Sequence, residues 1–168
     1  NGLNGYVLPD AYSGPVPGLQ YQVLGTASND VALGTSKNDF FNLLGGDDAV
    51  NGGAGNDVID GGIGSNFLSG GAGIDTFFLD GRGGTSTWST ITDWQAGEQL
   101  SVFGWKPGIS RVLWLDNDGT AGFLGVTMHA DLDGNGLFDT SVTWSGKARA
   151  DLPVPFEFSN PELLWFIG

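Results

Sequence analysis

The sequence has no cysteine, one histidine, one methionine and only six lysines and arginines against 19 aspartates and glutamates. Without cysteine, neither disulfides nor thiol chemistry can contribute. That is compatible with a bacterial exported protein held together by metal rather than by bridges. The formal net charge of −13 argues against nucleic acid and anionic membrane as partners. No apolar run approaches the ~20 residues that a membrane-spanning helix needs. There is no H-E-x-x-H, G-x-S-x-G or other hydrolase signature, so no enzyme is expected. The first residues, NGLNGYVLPD, lack a basic region followed by an apolar stretch. No cleavable signal peptide is expected, and the missing initiator methionine suggests a fragment of a longer protein. Disorder is excluded by composition, because 40% hydrophobic and 12% aromatic content belongs to a folding chain. The 168 residues suit one domain or two small ones. The acidic excess therefore reads as a demand for cations.

What the chain does have is a repeat. Six consecutive nine-residue units run from Gly25 to Phe78: GTASNDVAL, GTSKNDFFN, LLGGDDAVN, GGAGNDVID, GGIGSNFLS and GGAGIDTFF. Their sixth places are Asp30, Asp39, Asp48, Asp57, Asn66 and Asp75, and their eighth places are Ala32, Phe41, Val50, Ile59, Leu68 and Phe77. A fixed short period marks a solenoid, in which each unit stacks on its neighbours. Glycines in the first four places let the backbone turn with positive φ and aim carbonyl oxygens inward. The aspartate adds an anionic oxygen at the end of each turn. Carbonyls and carboxylates without histidine or cysteine form a hard-oxygen set that suits Ca²⁺ better than Mg²⁺, which prefers a tight octahedron and keeps its waters. One inward apolar side chain per nine residues buries too little to order so glycine-rich a backbone. Stacked carboxylates also repel one another. Folding of this zone is expected to be coupled to metal binding.

These units resemble the G-G-x-G-x-D-x-U-x nonapeptide, with U a large apolar residue, of the RTX (repeat-in-toxin) family. Gly52 to Asp60 and Gly70 to Phe78 match it fully. The resemblance implies a parallel β-roll with two nonapeptides per coil, so that turns eighteen residues apart stack with several Ca²⁺ ions between them. One edge would stack Asp30, Asp48 and Asn66, and the other Asp39, Asp57 and Asp75. The family pattern implies a best site from Gly52, Ala54 and Asp57 with Gly71, Gly73 and Asp75. A second would use Gly34, Ser36 and Asp39 with Gly53, Gly55 and Asp57, and Leu44 and Gly46 would contribute beside Asp48. Asn66 removes a charge from the Asp48 site, Leu43 stands in a first-place glycine position, and Ser28 and Lys37 stand in fourth-place ones. The first two units resemble a GTxxND variant that is expected to fold but to bind less tightly.

Composition divides the chain into a Gly/Pro-punctuated lead-in (residues 1–24), the repeats (25–81) and a zone holding all six tryptophans (82–168). The lead-in has a strand candidate at Gln20–Leu24. In the third zone, Leu124, Val126 and Met128 alternate with Gly125, Thr127 and His129, which predicts a half-buried strand, and Val142 and Trp144 mark the next. Little helix is expected, with single turns at most at Trp94–Glu98 and Pro161–Phe166. The segment Ile91–Leu100 resembles the I-x-D-[FW]-x-x-G-x-D-x-[IL] element that follows RTX rolls, with Glu98 in the acidic place and Trp94 covering the open coil. The resemblance thus implies an all-β molecule, a β-roll followed by an antiparallel, β-sandwich-like cap. Asp131, Asp133, Asn135 and Asp139 space oxygens as D-x-D-x-N-G-x-x-D, the start of a calcium loop that lacks the terminal glutamate of an EF-hand. The same residues also fit a hairpin turn, as do Asp116–Gly119. His129 reads as a strand residue. The tail, Ser159–Gly168, resembles a type I secretion signal, which makes the type I machinery an expected partner and the outside of a bacterial cell the expected location. The reading is a calcium-binding module of a larger secreted protein. Its alternative is a carbohydrate- or surface-binding module built on exposed Trp88, Trp105 or Trp114.

Overall fold

A computed structural model describes residues 4–7, 19, 21–81, 84–159 and 162–167. Among them every long element is a strand. β1 (Asn4–Val7) and β2 (Tyr21–Leu24) lead in. The repeats give β3 (Val31–Leu33), β4 (Asp39–Asn42), β5 (Ala49–Asn51), β6 (Val58–Asp60), β7 (Ser65–Ser69) and β8 (Thr76–Asp80). The remainder gives β9 (Thr87–Ile91), β10 (Gln99–Phe103), β11 (Arg111–Asp118), β12 (Gly125–Asp131), β13 (Thr140–Ser145), β14 (Phe156–Ser159) and β15 (Glu162–Ile167).

Successive repeats alternate between two sheets. One has the order β1-β2-β4-β6-β8-β10-β15-β14 and the other β11-β12-β13-β9-β7-β5-β3. Within the repeats all pairing is parallel, with Ala32 opposite Val50, Val50 opposite Leu68, Phe41 opposite Ile59 and Ile59 opposite Phe77. Two nonapeptides thus make one coil of a β-roll. The strands are short because only the last third of each unit is free of turn residues. Their eighth-place side chains all point into the space between the sheets, where Phe41, Ile59, Leu68 and Phe77 are fully buried. Each such side chain contributes about 1.5–3 kcal/mol.

Both sheets continue past the repeats. β10 adds in parallel to β8, with Leu100 opposite Phe77, and β9 adds in parallel to β7, with Ile91 opposite Leu68. β13 joins β9 in parallel, and β12, β11, β15 and β14 then add antiparallel. One apolar cluster runs from Phe41 and Ile59 through Trp94, Leu100 and Met128 to Trp144 and Phe166. Trp94 lies beside Phe77, the last inward side chain of the roll, with ring centroids 6.2 Å apart. It also meets the edge of Trp144 at 6.1 Å. It therefore closes the end of the coil as expected.

The structure differs from the sequence reading in four places. Residues 162–167 are strand rather than a helical turn, because they pair in continuous register with β10 and alternate buried Leu164 and Phe166 with half-exposed Trp165; Pro161 lies outside the described residues. A short 3-10 turn occurs instead at Arg149–Asp151. Asp116–Asp118 belong to β11, which carries a bulge between Leu115 and Asp118 with Asn117 at φ 54°, and the turn begins only at Gly119. β12 is buried on both faces rather than one, and Leu124 lies exposed outside it. Its outer face is covered where Trp88 and Phe138 pack against His129, with ring centroids at 5.1 and 4.9 Å.

Candidate metal centre

The functional chemistry lies along the two edges of the roll, where the glycine-rich halves of the repeats stack. Gly53, Gly55, Gly71 and Gly73 take φ of 98°, 127°, 93° and 141°. Side chains other than glycine's are strained in that region. Leu44, at the second place of the third unit, accepts that strain with φ 66°. The turns stack so closely that a Cβ at Gly53 would collide with the Thr35 carbonyl, and one at Gly55 with the Lys37 carbonyl. At these second and fourth places the stacked turn backbones leave no room for a Cβ, whereas the third places accept Ala54 and Ala72.

The six sixth-place side chains are all buried: Asp30, Asp48 and Asn66 on one edge and Asp39, Asp57 and Asp75 on the other. On each edge one oxygen of the side chain accepts a backbone N–H from the coil before. Asp39 N donates to Asp57 Oδ1 and Asp57 N to Asp75 Oδ1, both at 2.8 Å. Asp30 N donates to Asp48 Oδ1 at 2.8 Å and Asp48 N to Asn66 Oδ1 at 2.9 Å. The expected eighteen-residue stacking is therefore present.

The second oxygen distinguishes the units. In the two leading units threonine satisfies it. Thr26 donates its N–H and Oγ to Asp30 Oδ2 at 2.6 and 3.0 Å, and Thr35 does the same for Asp39 Oδ2 at 2.6 and 3.0 Å. At Asn66 an amide stands in its place, with Nδ2 donating to the Gly62 carbonyl at 3.3 Å. Asp48, Asp57 and Asp75 each keep an Oδ2 that is buried with no hydrogen-bond partner. Those of Asp57 and Asp75 lie against the first-place glycines of their units, where a Cβ added at Gly52 or Gly70 would collide with the carboxylate. A fourth orphan oxygen is Glu98 Oε1.

A buried carboxylate oxygen without a donor costs free energy unless a proton or a cation reaches it. The titration of these groups reflects that cost. Burial, aided by the charges of Asp75 and Asp39, pushes Asp57 up to about 7. Burial, with Asp75 and Asp93 adding repulsion, pushes Glu98 up to about 7. Burial likewise raises Asp48 and Asp75. A hard divalent cation fits such a donor set of carboxylate and carbonyl oxygens in glycine-lined turns.

Residues 24–59 and 44–77 match the family model of the RTX calcium-binding nonapeptide repeat, four copies to each match. This stretch is an RTX calcium-binding repeat array. RTX repeats bind several Ca²⁺ ions, and the family is a structural calcium-binding module rather than a catalytic one. No curated protein matches the chain. Among the described residues no helix is long and apolar enough to cross a membrane.

Of the sequence-derived ligand candidates, Asp48, Asp57 and Asp75 present free oxygens beside the RTX turns, whereas the Oδ2 atoms of Asp30 and Asp39 are already occupied. The turns that hold Gly34 and Ser36, Leu44 and Gly46, Gly52 to Gly55, and Gly71 and Gly73 line the same two edges. The sequence reading gave Glu98 only a capping role. Its position as the acidic residue after a glycine turn was the available signal.

The second candidate lies in the loop joining β12 to β13. Asp131, Asp133 and Asp139 offer oxygens within 4.8 Å of one another. Their oxygens already hold the loop: Asp131 accepts from Gly134 N and Gly136 N at 2.7 and 2.8 Å, and Asp139 from Leu132 N at 2.6 Å. Asn135 donates to Asp133 and accepts from Leu137 N at 2.7 Å. Desolvation pulls the Asp131 carboxyl up, but donors from Gly136, Gly134 and Asn135 outweigh it and hold the group below the usual range.

The histidine and the tryptophans Trp88 and Trp114 contact neighbouring side chains. His129 bridges Ser141 Oγ at 2.8 Å and Asp118 Oδ2 at 2.9 Å, but Ser141 is buried on β13 directly across from it. Trp105 is buried, and Trp88 Nε1 donates to Thr143 at 2.9 Å. Trp114 stacks on Trp144 at 5.9 Å beneath the Arg149 guanidinium at 4.3 Å. Trp105 is thus enclosed, while Trp88 and Trp114 are half-buried and held by neighbouring side chains.

Proposed function

We propose that the chain is a calcium-gated folding module of a larger bacterial protein that is secreted by a type I system. The orphan oxygens of Asp48, Asp57 and Asp75 carry this reading, because they make the folded roll unfavourable without positive charge in its turns. Bound Ca²⁺ would supply that charge, held by Asp57 and Asp75 on one edge and by Asp48 on the other, with turn carbonyls completing the shell. Extracellular calcium modules bind at ~10⁻⁴–10⁻³ M, far above cytosolic calcium. Inside the cell the acidic chain would stay extended and threadable; outside, the turns would fill and the roll would stack. The lead-in (1–24), the roll (25–81) and the C-terminal zone (82–168) would act in turn as starting strand, metal-dependent body and stopper. In this proposal the tail read as the export signal becomes β15 once its partner β10 is in place. The Asp131–Asp139 loop would be a separate, weaker site, since a cation there competes with hydrogen bonds already made.

Circular dichroism of the chain in chelator and in millimolar calcium tests the proposal, with magnesium as control. A large gain of β signal with calcium alone is expected. Equal β content in chelator would refute it.

A further inference from the structure

The turn Asp93–Glu98 occupies the place where another repeat turn would stack. β10, which follows it, puts Gln99 opposite Thr76, and Gln99 N donates to the Asp75 carbonyl at 2.9 Å. One coil earlier Thr76 N makes the equivalent bond to the Asp57 carbonyl at 2.8 Å. By that register Glu98 stands over Asp75 as Asp75 stands over Asp57. Asp93 ties the two turns together, accepting from Gly70 N at 3.0 Å and Gly71 N at 2.8 Å, while Gln95 Nε2 donates to the Gly71 carbonyl at 2.9 Å.

Within this arrangement Glu98 is 0% exposed. Its Oε2 accepts from Gln95 N at 2.8 Å, whereas its Oε1 has no partner, and neither has Asp75 Oδ2. Asp75 and Asp93 repel it, and Lys147 attracts it less strongly. Two buried carboxylates, each with an unpartnered oxygen, thus lie on successive turns where the roll joins the C-terminal sheets.

We propose that Glu98 and Asp75 share one calcium ion, so that a single ion bridges the last repeat turn and the C-terminal zone. The site joins the last nonapeptide to a residue beyond the repeats and takes a divalent, oxygen-seeking cation. It rests on the reading that the roll binds calcium in its turns. With this ion in place the last coil and the cap fold as one unit, and Trp94 is held against Phe77 from both sides.

The test counts ions bound by the full chain, using equilibrium dialysis and terbium luminescence excited through tryptophan, with Trp94 the nearby sensitiser. Glu98→Gln is expected to bind one calcium fewer than the wild type and to lose tryptophan-sensitised terbium emission. Glu98→Asp, which keeps the charge, is expected to restore the count at weaker affinity, and it remains informative if Glu98→Gln folds poorly. An unchanged ion count and affinity in Glu98→Gln would overturn the bridge and leave a proton shared by the two carboxyls. Asp57→Asn separates the two levels of the account. If it lowers the count and Glu98→Gln does not, only the bridge falls. If the wild type binds no calcium, the folding proposal falls with it.

Discussion

Replacing Asp57 by asparagine should change stability in opposite directions with and without calcium. In the metal-free roll Asp57 Oδ2 is buried without a partner, and Asp75 and Asp39 press on its charge. An unpaired buried polar atom costs about 1–3 kcal/mol. Asparagine keeps the Oδ1 acceptor for Asp39 N and offers an amide that can donate into the turn, as Asn66 does to Gly62. In chelator the variant should therefore be more stable than the wild type by about 1–3 kcal/mol. With calcium at a hundred times the dissociation constant, each site contributes about 2.7 kcal/mol. Asp57 lies between the turns of Asp39 and Asp75, so losing its charge weakens one or two sites. Set against the relief of the orphan oxygen, the variant should be roughly 2 kcal/mol less stable in calcium. Urea denaturation followed by tryptophan fluorescence reads the calcium arm. The chelator arm needs an osmolyte to populate the fold, with β content read by circular dichroism. Equal destabilisation in both media would show that Asp57 acts through hydrogen bonds and not through metal.

Three further outcomes follow from the same geometry. Gly52→Ala places a Cβ against Asp57 Oδ2 and the Gly70 carbonyl, so it should abolish calcium binding at that turn while the metal-free spectrum stays unchanged; calorimetric titration reads the loss. Asn66→Asp restores the missing charge beside Asp48 and should add one bound ion by equilibrium dialysis, at the cost of a still less stable metal-free roll. In chelator, lowering the pH should raise β content. Burial lifts Asp57 from 3.8 and Glu98 from 4.5 to about 7 in the folded state. A folded-state rise favours the protonated form, so stability is greatest below the unfolded values and is lost as pH climbs toward about 7. Circular dichroism across that range should show the dependence in chelator and its loss in saturating calcium.

The roll was legible because its information is local and periodic. Phe41, Ile59 and Phe77 fall at one place in every unit, and the aspartates at another, so a fixed period announces both the inward row and the stacked carboxylates. The parallel pairings that extend the sheets, β8 with β10 and β9 with β13, join segments of different spacing and leave no periodic trace. For the same reason residues 162–167 looked like a turn: their strand character comes from lying alongside β10, not from their own sequence. At the site, the sequence set the GTxxND units of Asp30 and Asp39 apart from those of Asp48, Asp57 and Asp75 but showed no physical cause. Their difference lies in hydrogen bonding, since Thr26 and Thr35 occupy the oxygens that in the later units stay free. Glu98 stayed hidden because its neighbour Asp75 lies outside its own turn, and only the register of β10 on β8 brings them together.

The central claim is that cation binding and roll formation are one event. The most direct test measures bound calcium and β signal on the same samples through a calcium titration of the full chain. The account predicts that the two rise together over one steep transition, with no β-roll signal before ions bind. A roll that is complete before calcium is taken up, or calcium bound with no gain in β structure, would contradict it.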